Sequence, residues 1–179
     1  MCQSMTKTIL IIVIATTLIL GIFTLGNTAS AVISENPALQ SKILTEWGPV
    51  ICTTEEGALC VGEARTKFLL IVTGSTEEGT VIGDAEGKIK LRITVKNPGD
   101  VTLTNVGLLS FEYDSEKRVL LMSGKFIDKK GNPYEFDATG VVGEFEKRAA
   151  PIDLTVKLVE ENETQIDFTS AGIMIGVGY

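Results

Sequence analysis

Adjacent acidic residues are the main catalytic resource of this 179-residue chain, because it contains no histidine. Without an imidazole, the chain cannot build a Ser-His-Asp or Cys-His nucleophile, a histidine base or a His-ligated zinc or iron site. The acidic pairs are Glu55-Glu56, Glu77-Glu78 and Glu160-Glu161. Each pair lies in a polar, turn-like run, whereas general-acid catalysis requires a desolvated carboxyl group. We therefore predict a protein that is not an enzyme and has no catalytic residues, with glycoside hydrolysis as the alternative.

Two oxygen-rich segments are candidate calcium sites. The first is Gly83–Gly87, where Asp84 and Glu86 would be the ligands, and the second is Asp128–Asn132. Calcium takes about six to eight oxygen ligands, and neither segment has EF-hand spacing. Asp, Asn and Gly in such runs are also typical of hairpin turns. The sequence favours turns, with calcium binding by Asp84 and Glu86 as the alternative, and no cofactor is predicted.

One basic stripe runs through the sequence, at Lys88, Lys90, Arg92 and Lys96. Lysines on the solvent-facing side of a strand oppose edge-to-edge pairing, and this is the interpretation that we favour. The alternative is contact with an anionic polymer or a headgroup surface. No aromatic residue interleaves with the stripe, so a stacking platform for single strands is not predicted. A nucleic-acid partner is also not expected, because the net charge of the chain is −7.

The N-terminal residues 1–31 have the three parts of a secretory signal. Lys7 is their only charged residue, an apolar run follows, and small residues precede a predicted cleavage site after Ala31. The apolar run nearly reaches the ~20 residues of a membrane span, so an uncleaved anchor through residues 8–26 is the alternative. In both cases residues 32–179 face outward, which predicts an extracellular or cell-envelope location.

The exported part, residues 32–179, carries all 23 acidic residues and all the basic residues except Lys7. Its two cysteines, Cys52 and Cys60, are close in sequence without the spacing of a redox motif. In an oxidising compartment such a pair indicates a local structural disulfide. Asn162 begins the glycosylation sequon Asn-Glu-Thr.

The start of the exported part has the pattern of a short helix. Asn36 is placed as an N-cap before a proline, and Leu39, Ile43 and Trp47 follow at four-residue steps. Gly48-Pro49 would end this helix.

After Cys60 the hydrophobic period changes to two, which is typical of strands with one buried face. The clearest examples are Lys88–Lys96 and Ile152–Leu158, and turn signals separate about nine short strands. No helical crossover lies between the strands, so the sheet is predicted to be antiparallel. We predict one all-β domain over residues 32–179, an Ig-like or jelly-roll β-sandwich, with a closed barrel as the alternative.

A local likeness accompanies this fold prediction. Val95-Lys96-Asn97-Pro98-Gly99-Asp100-Val101-Thr102-Leu103-Thr104-Asn105-Val106 resembles the strand–turn–strand of Ig-like adhesion-type repeats in prokaryotic surface proteins. The resemblance covers about a dozen residues and implies an extracellular Ig-like fold without catalytic activity.

Together these patterns predict an exported cell-surface or envelope protein with an interaction or structural role. Its partners would be other surface proteins or further copies of itself, with membrane contact only through residues 8–26. Two alternatives remain. The uncharged segment Ile173–Tyr179 is expected to be a buried last strand, but it could instead be shared between subunits of a filament or surface layer. The other alternative is a carbohydrate- or calcium-binding module.

Overall fold

The computed structural model describes residues 40–53, 59–76, 78–94, 98–160 and 164–177, with backbone alone at Leu59 and Val177. These residues form ten β-strands and no helix. The strands are β1 Gln40–Thr45, β2 Gly48–Thr53, β3 Leu59–Ser75, β4 Thr80–Ile93, β5 Gly99–Asn105, β6 Leu109–Asp114, β7 Val119–Ile127, β8 Pro133–Val142, β9 Ala149–Glu160 and β10 Gln165–Val177. Within the ranges just given, no helix is present that would be long and apolar enough to cross a membrane.

Several sequence predictions lie outside the described residues. They are the signal or anchor with its cleavage site at Ala31, the first residues of the predicted helix and the sequon at Asn162.

The ten strands belong to one antiparallel sheet that closes on itself. β1 and β2 share the position between β3 and β10, because they pair with different parts of those long strands. β5 and β6 share the position between β4 and β7 in the same way. Pairing of β3 with β4 completes the ring. The described strands therefore form a closed barrel rather than the two facing sheets of the predicted sandwich.

The interior of this barrel is filled by apolar side chains. Burial alternates along the strands, most regularly in β8 and β9, because successive side chains point to opposite faces. Phe68, Phe126 and Phe136 pack together in the interior, with ring centroids 5.0–6.4 Å apart. Gly87 makes room for this cluster, since a Cβ at that position would overlap the ring of Phe68. Because packed apolar side chains occupy the inward positions, a binding site is expected on the outer face of the barrel.

The predicted helix is wrong over its described part, which forms β1 and the two residues that follow it. Ile43 is fully buried between exposed neighbours, so the segment has the period of a strand rather than a helix. β1 is paired on both sides, by β3 and β10, and these backbone hydrogen bonds outweigh the local helical preference. Gly48 begins β2 instead of ending a helix, because only glycine fits against the backbone of Thr169.

A β-bulge separates β1 from β2. Leu44 lies opposite Lys67 and Gly48 lies opposite Ala64, so the three residues between them on one strand face two on the other. The hydroxyl of Thr45 compensates for the interrupted ladder by accepting the Thr66 backbone N–H at 2.8 Å. Because of the extra residue, the burial alternation changes phase after the bulge, and Gly48, Val50 and Cys52 face inward.

The other predicted strands are present in the structure, but most of the observed strands are longer than the predicted ones. The segments 118–122 and 125–127 belong to one strand, β7, and β10 likewise unites the segments predicted near the C-terminus. Cys52 and Cys60 lie directly opposite each other in the β2–β3 hairpin and form a disulfide, as the sequence predicts.

Candidate anion-binding surface

Four exposed cations lie together on the outer face of β3 and β4. Arg65 is directly opposite Lys90, and Lys67 is directly opposite Lys88. Like charges in directly opposite positions destabilise an antiparallel pair. Among the described residues, none of the four forms an ion pair with a carboxylate. We call Arg65, Lys67, Lys88 and Lys90 the basic face.

Protection of a sheet edge does not explain the basic face. Along Lys88–Arg92, β4 is paired with β3 on one side and with β5 on the other. A one-sided stretch occurs instead in the neighbouring β5, whose residues 99–103 pair only with β4 in the described part of the chain. The edge-protection interpretation of the stripe is therefore wrong for its described members, and Lys96 lies outside the described residues.

Arg92 belongs to the predicted stripe but has a different environment. Its guanidinium group lies 3.7 Å from the Glu63 carboxylate and 3.6 Å from the Asp100 carboxylate. Both acids are its register neighbours, on β3 and β5. The charge of Arg92 is thus compensated, and it marks the boundary of the basic face.

Trp47, the only tryptophan, adjoins the basic face. The guanidinium carbons of Arg65 and Arg92 lie 4.7 and 4.6 Å from the centroid of its ring, which is cation–π geometry. The bulge between β1 and β2 places this side chain there, as bulges commonly re-aim side chains. Sequence reasoning missed Trp47 because it assigned the residue to a helix stripe, and no aromatic residue interleaves within β4 itself.

A cleft of about 400 Å³ opens on the basic face. It is lined by Leu44, Thr45, Arg65, Thr66, Lys67, Lys88 and Lys90. Thr102 and Thr104 of β5 are the register neighbours of Lys90 and Lys88, so hydroxyl groups flank the cations. Ammonium and guanidinium groups donate short, charge-assisted hydrogen bonds to carboxylate, sulfate or phosphate oxygens. The arrangement is suited to binding an anion with several charged oxygens.

The predicted calcium candidates are not assembled into a site. Asp84 and Glu86 lie within β4 rather than in a turn, and the described residues contain no cluster of three or more potential ligands. The second candidate is a turn, as the sequence favours: the Asp128 carboxylate accepts hydrogen bonds from the backbone N–H groups of Lys130 and Asn132. Although burial raises the pKa of Asp128, these bonds lower it, and the net pKa lies below the usual value.

Only Glu78 and Glu160 of the predicted acidic pairs lie within the described residues. Glu78 is exposed and Glu160 ends β9, while Glu55, Glu56, Glu77 and Glu161 lie outside the described range. Among the described residues, Tyr134, opposite Glu160, has a strongly shifted pKa: burial first, and the nearby Glu160 charge second, raise it to about 12. A raised pKa keeps the phenol protonated and disfavours the phenolate form.

A strand shared between subunits, the alternative use of Ile173–Tyr179, would need a free edge of β10. In the described residues β10 pairs with β9 from Gln165 to Ile175, and on its other side with β2 at Gln165–Phe168 and with β1 at Gly172–Val177. In comparisons with known proteins, no family model, curated protein or solved structure matches this chain.

Proposed function

We propose that this protein is an exported, non-enzymatic binding protein of the cell surface or envelope, and that the basic face holds an anionic ligand. The observation that carries the proposal is the two like-charge pairs, Arg65 with Lys90 and Lys67 with Lys88. Each such pair lowers stability by a fraction of a kcal/mol, up to about 1 kcal/mol. A ligand that supplies negative charge to this face removes that repulsion.

Export is part of the proposal. The sequence of residues 1–31 supports it, and a disulfide between Cys52 and Cys60 is stable in an oxidising compartment. Glycosylation at Asn162 belongs to the same proposal. A nucleic acid is not part of the proposal.

Titration of the full chain with inositol hexakisphosphate tests anion binding. This compact polyanion presents several phosphate groups to the cleft, and Trp47 fluorescence reports binding because it is the only tryptophan. We expect binding that weakens with added salt, since the contacts are electrostatic. K67Q/K88Q should reduce the affinity on the order of tenfold, at ~0.2–1 kcal/mol for each exposed charge contact.

The matched control is K125Q/K157Q, which removes two exposed lysines from β7 and β9 and changes the net charge equally. This variant should bind like the parent protein. Equal losses in both double variants would show a general charge effect and would contradict a site at the basic face.

A further inference from the structure

Building on the proposed function, we infer that the ligand of the basic face is the anionic headgroup layer of a lipid bilayer. This inference rests on the register of four neighbouring strands. Lys88, Lys67, Leu44 and Ile173 are consecutive neighbours across β4, β3, β1 and β10, so they form one continuous row on the outer face. The row joins two uncompensated cations to two aliphatic side chains.

Both aliphatic side chains are exposed. Leu44 retains 38% and Ile173 retains 44% of its accessible surface, although other positions of the same strands are fully buried. Lys42, also exposed, lies two residues before Leu44 on the same side of β1. Cations and aliphatic groups therefore occupy one contiguous surface, which we call the docking row: Lys42, Leu44, Lys67, Lys88 and Ile173.

This combination distinguishes a bilayer surface from a soluble polyanion. An anionic glycan would neutralise the lysines but leave Leu44 and Ile173 in water. A headgroup layer supplies phosphate to the cations, and its acyl boundary takes up aliphatic side chains. The lysine stems can also lie along apolar surface while their ammonium groups reach the phosphates.

The charges outside the docking row favour a single orientation. Two acids lie at its margins, Glu46 in the bulge and Glu86 opposite Leu69. In a chain with a net charge of −7, an anionic bilayer attracts only surfaces on which cations are in excess, and the basic face is such a surface. We therefore expect the basic face to approach the headgroups.

Quenching of Trp47 by lipids tests this inference in the full chain. The protein is reconstituted with vesicles of phosphatidylcholine alone, or of phosphatidylcholine mixed with phosphatidylglycerol, each containing a doxyl-labelled acyl chain. Any anchoring by residues 8–26 is common to both vesicles, so the difference in quenching reports contact of the face. We expect stronger quenching with the anionic lipid.

Two variants and a control identify the contacts. K67Q/K88Q should abolish most of the difference, with a loss of about fivefold in partitioning for each cation. L44S/I173S should reduce it by a comparable factor. K125Q/K157Q should behave like the parent protein, and circular dichroism checks that each variant is folded.

The outcomes separate the two proposals. Binding of inositol hexakisphosphate without lipid-dependent quenching would overturn the bilayer inference and leave the anion-binding proposal standing. Failure of both measurements would overturn both proposals. Quenching that does not change in L44S/I173S would overturn the bilayer inference as well, because the aliphatic contacts distinguish it from simple anion binding.

Discussion

The outer surface of the barrel has two charged faces that follow opposite rules. On the basic face, Arg65 and Lys67 of β3 lie opposite lysines of β4. On β7–β10, which we call the mixed face, Lys125 forms a 2.7 Å ion pair with Glu135. On the same face, Lys157 lies between two aspartates, one on each neighbouring strand, at positions 137 and 167.

The two faces share the same antiparallel geometry, so they differ only in which charged side chains are placed opposite each other. Cross-strand pairs of opposite charge contribute modestly to stability, and like pairs reduce it. The mixed face has the opposite-charge neighbours that are expected where side chains contribute only to the stability of the fold. The basic face departs from this arrangement at two adjacent register positions, which is the reason for assigning the function there.

The largest effect is expected from the disulfide of the β2–β3 hairpin. Replacing both cysteines in C52A/C60A should lower the free energy of unfolding by about 2–3 kcal/mol, the chain-entropy value for a short loop. Chemical denaturation measures this loss. Binding by the folded protein should change little, because the strand register positions the lysines; a loss of affinity larger than that of K67Q/K88Q would contradict this separation.

Replacing a lysine by glutamate should change the free energy of unfolding in opposite directions on the two faces. K88E places a carboxylate opposite Lys67 and should raise the free energy of unfolding by ~0.2–1 kcal/mol while weakening anion binding. K157E places a third acid beside Asp137 and Asp167 and should lower stability by a similar amount. Parallel urea titrations measure both. Destabilisation by K88E would show that the like-charge pair is not a strain on the fold.

A pH dependence is expected from Tyr134 of β8, whose side chain is buried. The pKa of Tyr134 is raised to about 12 by burial and by Glu160, above the usual tyrosine value of 10.0. The folded state therefore holds this proton more tightly than the unfolded chain. Its contribution to stability is complete below pH 10 and is lost as the pH rises toward 12. Y134F should lack this dependence, whereas the same slope in Y134F would assign it to other groups.

The sequence predicted much of the fold from local signals. Alternation in Ile152–Leu158 identified β9, and the turn at Asp128–Asn132 was recognised from its residue types. The disulfide followed from the context of Cys52 and Cys60. The helix prediction failed because Leu39, Ile43 and Trp47 have helical spacing, while strand pairing on both sides determined the structure.

The candidate site was only half visible in the sequence. Lys88 and Lys90 were recognised as a stripe, but Arg65 and Lys67 lie on a different strand and meet them only through the β3–β4 register. Trp47 reaches Arg65 through a bulge, which depends on the residue count between strand partners. Neither relation is encoded in a short window.

The sequence by itself determined the chemistry available to this protein: no imidazole, an acidic balance, a disulfide pair and alternating strands. These are properties of residue types and of local periods, which do not depend on distant contacts. The tertiary structure alone decided that the sheet closes, that β4 is not an edge, and that four cations and Trp47 share one surface. Those results depend on which residues far apart in the chain become register partners, and backbone hydrogen bonds between strands set that register.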